Sequence, residues 1–221
     1  MIDLLEKFGV FLLLVPAIVL HEVSHGYVAY LLGDPTAKNA GRLSLNPLKH
    51  VDPFGTVILP LLMTLMFGFG IGYAKPVPVN PMYFADRRRG MFFTGIAGPA
   101  TNLALAVAAG LAFRAGQFPA ALLGEDIGGF VLLAIYDFAM VNLVLMAFNL
   151  IPLPPLDGSR VLPLFLSDRA MRTYAQWERY GFLILFGLLF FAPRFLGFDP
   201  LHVYMEWTVV PLMRLLTGVA A

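Results

Sequence analysis

The sequence predicts an all-α polytopic membrane protein, and three observations carry that reading. Of 221 residues, 59% are hydrophobic and only 13% charged, whereas a soluble domain carries about 25% charged residues. Mean hydropathy is +0.77. Apolar runs long enough to cross ~30 Å of hydrocarbon recur along the chain. The net charge of +1 offers no field for a nucleic-acid backbone. The absence of cysteine excludes a disulfide scaffold, a thiol nucleophile and any thiolate metal site.

Five to six hydrophobic segments follow in order. Phe8–Leu32 is interrupted only by His21, Glu22 and His25, and is too long for a cleaved signal. Phe54–Ala74 lacks charge but contains Pro60 and four glycines, Gly55, Gly68, Gly70 and Gly72. Met91–Phe113 is uncharged, and Ile127–Ile151 holds one charge, Asp137. Tyr180–Ala192 is short. Leu201–Val219 contains His202, Glu206 and Arg214, and either spans or lies in the interface. The chain reads as a single domain, 1–221, with a core over about 8–160 and C-terminal helices over about 180–219.

Charge decides what the second segment does. Basic residues gather in three stretches: Lys38, Arg42 and Lys49; Lys75 and Arg87 to Arg89; Arg160, Arg169, Arg172 and Arg179. A re-entrant Phe54–Ala74 keeps all three on one side, as the excess of Lys and Arg in cytoplasmic loops requires. Irregular backbone at membrane depth suits its glycines. The expectation is a re-entrant segment on the cytoplasmic side, with the N-terminus outside.

The chemistry centres on His21-Glu22-Val23-Ser24-His25 in the first segment. Residues i and i+4 share a helix face, so both imidazoles can reach one metal ion. Glu22 projects about 100° round, close enough to take a proton from a water on that metal without being a ligand. A carboxylate at the centre of a spanning helix costs roughly 2.5 kcal/mol or more, which marks a site rather than a chance match. A catalytic zinc site takes three protein ligands and leaves a position open. His50 lies in a polar loop stretch and His202 at the start of a weak segment. Asp157 is the better third ligand. It ends Asn149-Leu150-Ile151-Pro152-Leu153-Pro154-Pro155-Leu156-Asp157-Gly158, where prolines halt the helix and Asp-Gly turns the chain back.

With Gly95-Ile96-Ala97-Gly98-Pro99-Ala100-Thr101-Asn102 in the third segment, these motifs in this order resemble the site-2 protease family of intramembrane zinc metalloproteases, over most of the chain up to about Arg160. The likeness is to the small bacterial branch with the His-Glu motif in the first segment. Gly33-Asp34-Pro35-Thr36-Ala37-Lys38 and Ala74-Lys75-Pro76-Val77-Pro78-Val79-Asn80-Pro81 also look like that branch. The resemblance implies one zinc ion held by His21, His25 and Asp157, Glu22 as general base, and Asn149 beside the scissile peptide. It implies membrane-spanning substrates, a bacterial inner membrane and a site towards the cytoplasm. A PDZ domain for screening substrates is not expected.

Neighbouring residues add to this. Gly98 and Asn102, like Ala97 and Thr101, stand four apart, a small-residue face for close helix packing. Asn102 is expected to hydrogen-bond across to the site. Asn142 and Asn149 stand seven apart, on one helical face, which lines the cavity if Asn149 faces the metal. Gly41–Asn46 alternates apolar and polar and reads as a short strand. In Lys75–Pro81 the prolines remove donors from one edge, leaving Val77 and Val79 to offer N–H groups to substrate or to that strand. Arg87, Arg88 and Arg89 read as headgroup anchors. The rival reading is a membrane zinc transporter, since a carrier also places His and Glu on spanning helices.

Overall fold

A computed structural model describes residues 2–52, 55, 58, 75–122 and 124–219. Three long helices form its centre: α1 (Ile2–Leu31), α2 (Arg87–Leu122) and α3 (Glu125–Asn149). After the turn at Pro152–Asp157 the chain makes α4 (Asp168–Glu178), α5 (Gly181–Leu196, with a π turn at Gly187–Phe191) and α6 (Pro200–Thr217). The described residues are helical or irregular, with no strand among them.

Two helix starts follow from local chemistry. The Ser167 side chain accepts from Ala170 N–H to open α4, and Asp199 accepts from Leu201 and His202 N–H ahead of Pro200 to open α6. Gly218, at φ +74°, stops α6 in the left-handed conformation that favours glycine.

Lipid gives helices no hydrophobic reason to associate, so close approach through small residues holds the bundle. Ala106 and Ala109 of α2 meet Ala139, Leu143, Met146 and Ala147 of α3, with Val209 and Met213 of α6 closing the cluster. Large apolar side chains face outward instead: Phe130 is 72% exposed and Trp207 79%, the reverse of a water-soluble surface and fitting for a lipid-facing one.

Three helices are long and apolar enough to cross a membrane, Leu12–Leu31, Arg87–Gln117 and Asp126–Asn149, and a fourth span results if α4 and α5, bent by 69°, are taken as one. Five to six segments are therefore more than the described residues support. Charged and polar groups at His202, Glu206 and Arg214 dilute α6, which packs on α2 and α3 without matching a spanning helix. The segment expected to re-enter, 54–74, lies outside the described residues apart from 55 and 58. Its flanks meet: Lys75 N–H donates to the His50 carbonyl at 2.9 Å.

The expected strand at Gly41–Asn46 is not formed. Among the described residues it has no ladder partner; Arg42 gives its guanidinium to the carbonyls of Lys49, Lys75 and Pro76, tying the two loops by a side chain. Arg88 pairs with Asp168 at 2.7 Å and Arg89 with Asp86 at 3.5 Å, so Arg88 links the start of α2 to the start of α4.

Candidate metal centre

His21 and His25 project from one face of α1 towards α2, which carries glycine where they arrive. A Cβ on Gly98 would land on the nitrogen ends of both rings, so only glycine lets the helices come this close. Asp157 reaches the same point from the other side. The prolines stop α3, and the turn is fastened by Tyr174 of α4, whose hydroxyl donates to the carbonyl of Ser159 at 3.3 Å. Gly95 of α2 gives the turn room, since a Cβ there would sit 2.9 Å from Arg160 Cβ.

The three ligand atoms converge. His21 Nε2 and His25 Nε2 are 3.0 Å apart, and the Asp157 Oδ2 lies 3.0 Å from the first and 3.1 Å from the second. All three residues are buried. The far ring nitrogens decide what these atoms can offer. His25 Nδ1 donates to the Thr94 carbonyl at 2.6 Å, and His21 Nδ1 donates to Asn102 Oδ1 at 2.5 Å. In the neutral ring one nitrogen carries hydrogen and the other a lone pair. Both Nε2 atoms therefore present lone pairs to each other and to a carboxylate. Three acceptors in mutual contact, shielded from water, repel unless a positive charge lies among them. Ligands about 2.0–2.2 Å from a tetrahedral zinc ion sit roughly 3.3 Å from one another, close to the spacing found. The donor set fits zinc. The Asp157 carboxylate completes the set with one oxygen. Its other oxygen faces Arg160 at 3.8 Å.

Glu22 stands outside this trio. Its Oε2 accepts the backbone N–H of Val77 at 3.0 Å. Val77 thus serves neither the 41–46 segment nor a free edge, as the sequence suggested; its donor is taken by α1. Among the described residues Val79 N–H meets no acceptor. Asp34, fully buried, holds the segment on its other flank, accepting from Asn80 N–H at 2.7 Å and from Thr36.

Asn102 lies where sequence reasoning expects it. Asn149 makes no contact with the trio; its Nδ2 turns back to the Leu145 carbonyl at 3.0 Å. Asn142 does not line a cavity beside Asn149. It is fully buried, and its Oδ1 accepts from Asn102 Nδ2 at 2.8 Å. His50 is buried in the loop region, bonded to the Ser44 carbonyl, and His202 pairs with Glu206; neither joins the trio. The Thr94 carbonyl, the Gly98 approach and the Val77–Glu22 bond went unforeseen. Backbone partners leave no trace in residue identity, though Gly98 in a helix facing the metal pair was a visible cue.

The model of peptidase family M50 matches residues 125–192. The chain is 40% identical over 189 residues to "Putative zinc metalloprotease YwhC" of Bacillus subtilis, covering 81% of this chain and 78% of that protein. It is 33% identical over 190 residues to "Putative zinc metalloprotease Rip2" of Mycolicibacterium smegmatis, covering 84% and 69%. Against the Rip2 of Mycobacterium tuberculosis strain H37Rv it is 30% identical over 193 residues, covering 86% and 70%. No solved structure matches.

Proposed function

The chain belongs to peptidase family M50, and from that premise we propose that this multi-pass membrane protein is a zinc-dependent endopeptidase cutting membrane-spanning substrates within or beside the bilayer. The observation that carries this is the contact of three lone-pair donors, His21, His25 and Asp157, the last 136 positions from the first. Held by these three side chains, zinc would polarise a scissile carbonyl and bring the deprotonation of a water molecule near neutral pH.

The remaining work falls to the protein. Glu22 is the general base: with Oε2 held by Val77 N–H, Oε1 is the oxygen that receives the proton of the attacking water and passes it to the leaving amine. Asn149, at the end of α3, releases Leu145 and turns its amide to the substrate carbonyl oxygen. Asn102 orients His21. A substrate helix hides its carbonyls in internal hydrogen bonds and must be opened first; the N–H of Val79 pairs with the opened stretch. Residues 1–221 act as one domain, core and C-terminal helices together. The site faces the cytoplasm of a bacterial inner membrane. Supporting this, contacts from Arg42 to Lys75 and from Arg88 to Asp168 join the three basic stretches at one end of the bundle.

The transporter reading loses to the protease. A carrier needs a succession of weak sites, and the described residues hold one group of three metal ligands. Glu22→Gln tests the assignment on purified protein: zinc is retained and cleavage of single-span peptides falls about 10²- to 10⁴-fold. Zinc flux into proteoliposomes with no cleavage by the wild type overturns it.

A further inference from the structure

His21 and His25 are held in their metal-binding form by different means. The partner of His25 Nδ1 is the Thr94 carbonyl, a backbone oxygen that cannot turn over. The partner of His21 Nδ1 is a side-chain amide, Asn102, with an acceptor at one end and donors at the other. An amide of this kind can flip. Flipped, it would present Nδ2 to His21 Nδ1 and select the ring form with hydrogen on Nε2. That hydrogen would point at Asp157 Oδ2, 3.0 Å away, closing a good hydrogen bond where metal should bind. The wrong form would lock itself.

From Asn142 we infer a positioning role: it keeps the His21 Nε2 lone pair free for metal by preventing the flip of Asn102. This rests on the metal-site reading above. The direction is set from the far end of the chain of bonds. The Phe138 carbonyl can only accept, so the Asn142 amide 2.8 Å away must offer it Nδ2. Asn142 Oδ1 then faces Asn102 and, at 2.8 Å, accepts from its Nδ2. Asn102 Oδ1 is left for His21, and an oxygen 2.5 Å from Nδ1 requires the ring to supply the hydrogen. Each amide passes the polarity on. Asn102 and Asn142 are both fully buried, so water offers no substitute partner. The other contact opposing a flip is the Ala17 carbonyl, 3.5 Å from Asn102 Nδ2 and at the limit of a hydrogen bond. The relay joins α1, α2 and α3, and Asn142 touches neither metal ligand nor substrate.

The test reads the ring directly. With four histidines in the chain, ¹⁵N-histidine labelling gives a resolvable spectrum in detergent, and neutral rings report which nitrogen carries hydrogen. Read at a pH where both rings are neutral, the zinc-free wild type is expected to show His21 with hydrogen on Nδ1. Asn142→Leu is expected to move it to Nε2 and weaken zinc binding about 10- to 100-fold in a chelator competition. Asn142→Asp, kept as the neutral acid by full burial, donates to the Phe138 carbonyl and still accepts from Asn102, and is expected to restore both readings. Hydrogen on Nε2 in the zinc-free wild type overturns the inference, whether or not the leucine variant folds. So do wild-type zinc affinity in Asn142→Leu, and equal loss in folded Asn142→Asp. Failure of the metal-site reading looks different: wild type would bind zinc no better than His25→Ala, whatever His21 shows.

Discussion

Val77 donates its backbone N–H to the carboxylate of Glu22 across 3.0 Å, joining a loop to the residue that follows the first histidine of the metal pair. A hydrogen bond to a charged group is worth about 1.5–3 kcal/mol, enough to hold one carboxylate oxygen and leave the other to the chemistry. Val77→Pro removes the donor and is expected to lower kcat about 10- to 100-fold at unchanged zinc content. Val79→Pro removes the neighbouring free donor and is expected to abolish cleavage through lost substrate binding, again with zinc intact. Steady-state cleavage of a single-span peptide separates the two, and wild-type rates in both would remove the loop from the mechanism.

Metal removal should be reversible and visible as stability. Any ligand that binds the folded state alone stabilises it, by about 2.7 kcal/mol at a hundredfold excess over Kd. Chelation is expected to stop cleavage and lower the unfolding temperature, and added zinc to restore both. Asp157→Ala should show neither response to zinc, because the turn then presents no third ligand.

Gly98→Ala puts a methyl group onto the nitrogen ends of His21 and His25. Overpacking of this kind costs about 1–3 kcal/mol, and here it also moves ligands. The expected result is a folded protein with little zinc. Gly129→Ala is the control: nothing stands within 4 Å of that position, and alanine is the better helix former by about 1 kcal/mol. Equal zinc content in both variants would show that α2 does not press on the site.

Asp34→Ala leaves the N–H groups of Thr36 and Asn80 without their buried acceptor. Stability is expected to drop by about 1–3 kcal/mol. As the 75–80 segment loosens, kcat should fall in the same direction as for Val77→Pro, with zinc retained. Thermal unfolding and cleavage measured on one preparation check both halves.

The ligand set was legible in the sequence because spacing and chemistry restrict it tightly. Two imidazoles four apart in an apolar helix, and an acid on a proline-stiffened turn, have few other uses. Glu22 stood out as a candidate base, but its partner did not, since Val77 contributes only an amide that any residue except proline carries. The strand at Gly41–Asn46 failed for a related reason: alternation predicts which side chains face inward, not whether a second strand is there to pair with. Asn142 and Asn149 share a helix face on paper, yet one turns to α2 and the other back onto its own helix. Spacing defines a face; it leaves open which neighbour that face meets.

Asp157 enters the ligand set 136 positions after His21. During synthesis the first helix is therefore made and inserted long before the third ligand exists. A nascent chain that has made only the first helix carries two of the three donors. The group of three is completed only when the proline turn folds back on the first helix, and whatever it binds must wait for that step.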